Sequence, residues 1–187
     1  MFLIPQDYEQ IIRSEILNTI SGGKSYNIDA AEQTARAEME SYLASRYDVA
    51  RIFVDVQEWK QGGQYLKGAV VWDTGAQGGQ VVFTATMNNP GHAPFAAGTD
   101  WIPQDPRNAL VRTYLVDMAV YHVHAAIPHK SIPELRVMRY EAAISWLKMV
   151  SRGELTPNLP LLPAAPGESP TDGLLRLGSR PKLGHDR

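Results

Sequence analysis

Between Pro5 and Gly23 the apolar residues Tyr8, Ile11, Ile12 and Ile16 recur at helical spacing, Pro5 and Asp7 suit a first turn, and Gly22-Gly23 is a stop signal. The pattern predicts one short amphipathic helix. Asp29 and Glu32 stand three residues apart, as in a capping box, and Ala31, Ala35, Met39, Tyr42, Leu43 and Arg46 continue one face, so a second helix is predicted to about Tyr47. From Phe53 the period changes. Phe53–Val56, Leu66–Trp72 and Gln80–Met87 are rich in β-branched and aromatic residues and are separated by Gly62-Gly63, Gly75 and Gly78-Gly79, which predicts a small antiparallel β unit. After Pro106 a broad stripe of Leu110, Val111, Tyr114, Leu115, Met118, Ala119, His122 and Val123 predicts a third helix, buried on much of its circumference and ending near Ile127-Pro128. Ser131 and Glu134 repeat the capping-box spacing around Pro133. Leu135, Met138, Ala142, Trp146, Met149 and Val150 then form the stripe of a fourth helix, ended by Gly153. The remaining segment holds Pro157, Pro160, Pro163, Pro166, Pro170 and Pro181, which exclude a helix or a central strand and predict an extended, polyproline-like arm.

The expected fold is therefore mainly α. A four-helix bundle is built discontinuously from residues 1–52 and 106–152, a small antiparallel β insert occupies 53–105, and an extended Pro-rich C-terminal arm runs over 153–187.

Composition narrows the function classes. The 187-residue chain is 44% hydrophobic and 20% charged with a formal net charge of −2, which fits a globular protein and argues against a dedicated nucleic-acid binder with a dominant basic face. The absence of cysteine excludes disulfides, thiolate metal sites and a cysteine nucleophile. Neither a signal peptide nor a membrane span is expected, because Met1–Pro5 lacks a basic n-region and the charge-free stretch 74–99 is too polar for hydrocarbon. The charges are unevenly placed: residues 1–50 carry 4 basic and 8 acidic groups, and 107–152 carry 7 and 3. The two helical regions are thus opposite in sign, either pairing within the chain or presenting complementary faces to neighbouring subunits.

Chemistry-bearing patterns are sparse. His122 and His124, with His129 nearby, form the one histidine cluster, but two residues apart on a helix point about 200° apart and do not converge on an ion. Asp117 on the same helix has Arg112, Arg136 and Arg139 as candidate ion-pair partners. There is no nucleophile elbow, phosphate loop, dinucleotide fingerprint or HExxH pattern. No catalytic residue, metal or cofactor is expected, and the chain does not read as an enzyme.

The helical frame carries a resemblance. Tyr42-Leu43-Ala44-Ser45-Arg46-Tyr47, then Val116-Asp117-Met118-Ala119-Val120-Tyr121 with His124, then Arg139-Tyr140 followed by Trp146-Leu147 and Gly153, resemble in order and spacing the Mu-like phage head-to-tail connector (adaptor) proteins. That resemblance implies a structural protein of the virion neck: a homo-oligomeric ring that binds the portal on one side and a tail or stopper protein on the other. DNA would pass through its channel without sequence specificity, and no membrane would be involved. Members of that family usually pass through a short proline-containing loop where this chain has about fifty residues.

The interposed segment has a likeness of its own. Trp59, Tyr65, Gly68, Val70-Val71-Trp72, Val82-Phe83-Thr84-Ala85, Asn89-Pro90-Gly91, Pro94 and Trp101 resemble the small chitin-binding β modules of chitinases. This implies sugar or protein contact through Trp72, Phe83 and Trp101, and a carbohydrate-binding accessory protein is the alternative reading; a tail-completion protein is another. At the C-terminus Arg176, Arg180, Lys182 and Arg187 outnumber Asp186 and are expected to meet an acidic partner or DNA.

Overall fold

The computed structural model describes residues 1–90, 92–96, 98–127 and 131–163. Helices α1 (Pro5–Glu9), α2 (Ser14–Ser21), α3 (Ser25–Leu43) and α4 (Val49–Ile52) precede strands β1 (Val56–Glu58), β2 (Val70–Thr74), β3 (Gln80–Ala85) and β4 (Trp101–Ile102), and α5 (Ala109–Ala125) and α6 (Glu134–Arg152) follow. The strands form one sheet in the order β1-β2-β3-β4, with β1 parallel to β2 and the other pairs antiparallel. Six helices and a mixed sheet, among the described residues, overturn the expected mainly α four-helix bundle with an antiparallel insert.

The departures have local causes. The first predicted helix is two, because Arg13 takes an extended conformation ahead of α2. Ile12 and Leu17 are buried while Ile16 is 49% exposed, so the apolar spacing is shared between two short helices. Gly22, left-handed at φ 67°, ends α2 as expected. Helix α3 starts a turn before Asp29, whose partner Glu32 caps nothing; Asn108 caps α5 instead, its side chain accepting from the N–H groups of Leu110 and Val111. Helix α6 starts after Pro133, which supplies no side-chain cap, and is stopped by Gly153. Phe53 closes α4 rather than opening a strand. The connection 59–69 crosses back instead of making a hairpin, held by Tyr65, whose hydroxyl accepts from the Lys60 N–H at 2.7 Å, and β1 consequently runs parallel to β2.

The main core lies between α3, α5 and α6. Met39, Leu43, Tyr47, Leu115, Met118, Val120, Leu147 and Val150 are fully buried there, with Phe2 and Phe53 packed edge to face at 5.3 Å. The sheet is covered on both faces: Tyr65, Val71, Phe83, Ala85 and Trp101 make one small core, and Val56, Val70 and Val82 pack with Ile4 of the N-terminal segment on the other side. Gln6 and Gln80 exchange backbone-to-side-chain hydrogen bonds of 2.9 Å, fastening α1 to the start of β3.

A buried carboxylate fixes the N-terminal segment. Glu32 accepts the N–H groups of Phe2 and Leu3 at 2.9 and 3.0 Å and the Tyr8 hydroxyl at 3.3 Å. Burial pushes its carboxyl above the usual range, and these donors pull it only part of the way back. Because the folded value is the higher one, the contribution of Glu32 to stability is complete at low pH and is lost as pH rises from the usual glutamate range through the raised value. The stability of wild type minus that of Glu32→Gln is expected to fall over that interval, as read by urea unfolding at stepped pH. A difference that rises with pH would show the carboxylate to be net stabilised.

Candidate assembly site

Residues Tyr42, Leu43, Arg46 and Tyr47 lie at the C-terminal end of α3, Asp117 and Tyr121 on α5, and Arg139, Tyr140, Trp146 and Leu147 on α6; the fold brings them into one three-helix unit with two faces. Leu43 and Leu147 are fully buried, and Trp146 packs on Tyr114 at 5.1 Å. On the polar side the Tyr121 and Tyr140 rings stack 4.1 Å apart at 14°. The Tyr140 hydroxyl donates to Glu38 Oε1 at 2.6 Å, and the other carboxylate oxygen of Glu38 lies 3.2 Å from His122 Nε2. Burial, reinforced by Glu38, raises the Tyr140 hydroxyl well above its ordinary value and keeps it a donor. Tyr42 lines the same shallow depression with Ile144 and Lys148.

Asp117 selects Arg139 from its three candidate partners, at 3.2 Å. Burial raises its carboxyl despite that arginine. His124 is lowered by burial and by the charge of Arg136, and His122 is committed to Glu38, so the two histidines serve different neighbours. His129 lies outside the described residues.

The other face anchors the chain after α6. The Arg46 guanidinium donates to the Val150 carbonyl at 3.2 Å and occupies the space beside Gly153, where a Cβ would lie 2.5 Å from Nη1. Gly153 is left-handed at φ 79°, the conformation that favours glycine, and a Cβ there would push the Arg46 guanidinium aside. The segment then returns to α3: the Asp48 N–H donates to the Pro160 carbonyl at 2.9 Å, the Leu162 N–H donates to the Arg46 carbonyl at 3.1 Å, and Tyr47 forms an antiparallel bridge with Leu161. The described part of the predicted arm is thus packed on the body. Its continuation, with Arg176, Arg180, Lys182 and Arg187, lies outside the described residues.

Tyr47 is fully buried, yet its hydroxyl has no hydrogen-bond partner. An unsatisfied buried hydroxyl costs about 1–3 kcal/mol. Tyr47→Phe is therefore expected to raise the unfolding midpoint in urea, and a lower midpoint would reveal a partner for the hydroxyl.

Among the β-unit aromatics, Phe83 and Trp101 are core residues. Trp101 is 6% exposed, meets Tyr65 edge to face at 5.4 Å and donates its indole N–H to the His92 carbonyl at 2.8 Å. Phe83 is 4% exposed under Phe95, which is itself half exposed. Trp72 is half-buried and lines a groove beside α1 and α3. Burial closes Phe83 and Trp101 to a stacking sugar, whereas Trp72 keeps part of its ring exposed in that groove.

Sequence reasoning missed a second cluster that joins the sheet to the helices. The fully buried Arg107 side chain donates to Asp7 Oδ2 at 2.7 Å, to both carboxylate oxygens of Asp105 at 2.9 Å, and to the Phe2 carbonyl at 2.6 Å, while Arg112 reaches Asp7 Oδ1 at 2.7 Å. These pairs cross from the acidic N-terminal region to the basic third region, so part of the charge asymmetry is neutralised within the chain. Asp7 and Arg107 are a hundred residues apart, and nothing local in the sequence pairs them. Glu38 was missed for the same reason.

Residues 98–172 match the family model described as bacteriophage Mu, Gp36. The likeness is to a phage protein. The matched segment takes in α5, α6 and the packed root of the arm, with Asp117, Tyr121, Arg139, Tyr140, Trp146 and Leu147 inside it, and is less than half of the chain. It supports a structural or assembly role in a Mu-like phage, and with it a setting in the virion or the infected cell. No helix among the described residues is long and apolar enough to cross a membrane. Neither a curated protein nor a solved structure matches the chain.

Proposed function

We propose that this protein is the head-to-tail adaptor subunit of a tailed phage, assembling as a homo-oligomeric ring below the portal, extending the DNA channel and joining the capsid to a tail or stopper protein. The reading is carried by the match over α5, α6 and the arm root, the part of the chain that holds six of the ten motif residues. The site around them is a scaffold: stacked rings, a shared carboxylate and a guanidinium-to-carbonyl contact hold three helices in one arrangement. A mixed-charge body of this kind suits the head-to-tail contacts of a closed ring.

The test is co-sedimentation of the purified full chain with the portal ring of the same phage, with stoichiometry from light scattering. Saturation at one subunit per portal subunit is the expected result. Binding to the tail tube without binding to the portal would favour a tail-completion protein, and retention on chitin or peptidoglycan alone would overturn the proposal in favour of a carbohydrate-binding accessory protein.

A further inference from the structure

A groove of about 530 Å³ opens between the N-terminal segment, α1, α2, the start of α3 and strand β1. Leu3, Ile4, Ile12, Leu17, Ile28 and Val56 supply apolar surface, and Glu9, Asp29 and Glu58 supply acidic side chains; no Lys or Arg is among its described lining residues. Along one side runs β1, the edge of the sheet, whose Val56 N–H is already bonded to the Met1 carbonyl at 2.7 Å, so the groove offers an occupant mainly apolar and acidic side chains.

The chain itself holds a segment of the complementary chemistry. Residues Leu174-Leu175-Arg176-Leu177 and, shortly after, Arg180, Lys182 and Leu183 combine four leucines with three basic groups, opposite in charge to the groove and able to fill it. The reach also suffices. The arm root is fixed beside Arg46 at one end of α3 and Ile28 lines the groove near the other, a separation of 18 residues or about 27 Å along the helix. From Pro163 to Leu174 the chain has 11 residues, which span about 34 Å in the polyproline conformation its composition favours. A linker slightly longer than the span it must cross gives the highest effective concentration for docking within one chain.

We propose that the C-terminal segment 174–183 docks in the apolar, acid-rimmed groove of its own chain, laying its leucines on Ile12, Leu17 and Ile28 and its basic side chains against Glu9, Asp29 and Glu58. Docked there, the segment covers the apolar surface of this groove. This assignment stands on the groove and on the arm sequence, and it does not depend on the adaptor reading.

The protein's lack of cysteine makes the test direct. The full chain carrying Ile28→Cys and Leu175→Cys is oxidised at low concentration and run without reductant, with Asn18→Cys as a second groove position and Glu141→Cys, on α6 and not among the groove's lining residues, as the control partner for Leu175→Cys. A disulfide within the monomer, at least tenfold more abundant for either groove position than for the control, is expected, and Glu58→Lys together with Asp29→Lys should reduce it severalfold. Disulfide-linked dimers in place of the monomeric product would overturn the assignment and move the segment to the groove of a second copy. Cross-linking no greater than the control, in chains whose circular dichroism is native, would overturn docking altogether.

Discussion

Arg107→Ala is expected to destabilise the protein by about 3–5 kcal/mol, the cost of breaking a fully buried ion pair from one side. Its side chain has no exposure and serves Asp7, Asp105 and the Phe2 carbonyl at once, at 2.6–2.9 Å. With alanine there, Arg112 still holds one oxygen of Asp7, but the Phe2 carbonyl loses the guanidinium and Asp105 loses its main partner. Urea unfolding reads the loss as a lower midpoint. Arg107→Lys keeps the charge but not the planar fork, and should fall between wild type and alanine. The acid limb carries a further signature. Burial alone would raise Asp105, yet the Arg107 guanidinium overrides it and holds the carboxyl below the usual range. With the folded value the lower one, the contribution of Asp105 is present above the usual aspartate range and is lost as pH falls through the depressed value. In Arg107→Ala that part of the acid destabilisation should disappear. An unchanged midpoint at neutral pH would show the cluster to be dispensable.

Trp101→Ala is expected to cost about 3–5 kcal/mol, as for other buried tryptophans cut to alanine. The ring closes the smaller core of the sheet against Tyr65, and its indole N–H satisfies the His92 carbonyl. Trp101→Phe keeps an aromatic ring and gives up the hydrogen bond, so a loss of about 1 kcal/mol is expected from that contact. Hydrogen exchange at the amides of β2 and β3 measures both. Trp101→Ala also bears on the carbohydrate alternative: loss of glycan retention in it would report an unfolded β unit, whereas Trp72→Ala, at a half-buried ring, tests contact with a partner. Trp101→Ala with native exchange rates would remove Trp101 from the core.

The sequence was most informative where one element decides its own fate. Helices α5 and α6 were legible from stripes such as Leu115, Met118 and Ala119, because a helix buried on a broad face must repeat apolar residues every three to four positions. Gly22 and Gly153 ended their helices as read, since a left-handed residue without a Cβ is the least strained stop. The motif residues from Tyr42 to Leu147 are recognisable from their order and spacing alone. The similarity over residues 98–172 falls on the later part of that same frame.

Where partners lie far apart in the chain, pattern alone did not suffice. Asp29 and Glu32 had the spacing of a cap, but Glu32 turned inward because the Phe2 and Leu3 N–H groups needed an acceptor there. Gly62-Gly63 looked like a hairpin turn, but burial of Tyr65 carried the chain across and made β1 parallel to β2. Phe83, Trp101 and Trp72 were equal as aromatic residues in a β unit, and only the covering of both sheet faces separated the two core rings from the half-buried one. Local periodicity and stop signals thus determined the long helices and the existence of a β unit, because those follow from interactions within a few residues. The sheet's parallel edge, the split of the first helix, the Asp7–Arg107 cluster and the acid-rimmed groove were decided by tertiary structure, because each depends on burying a charge or a ring against a residue that the local sequence does not name.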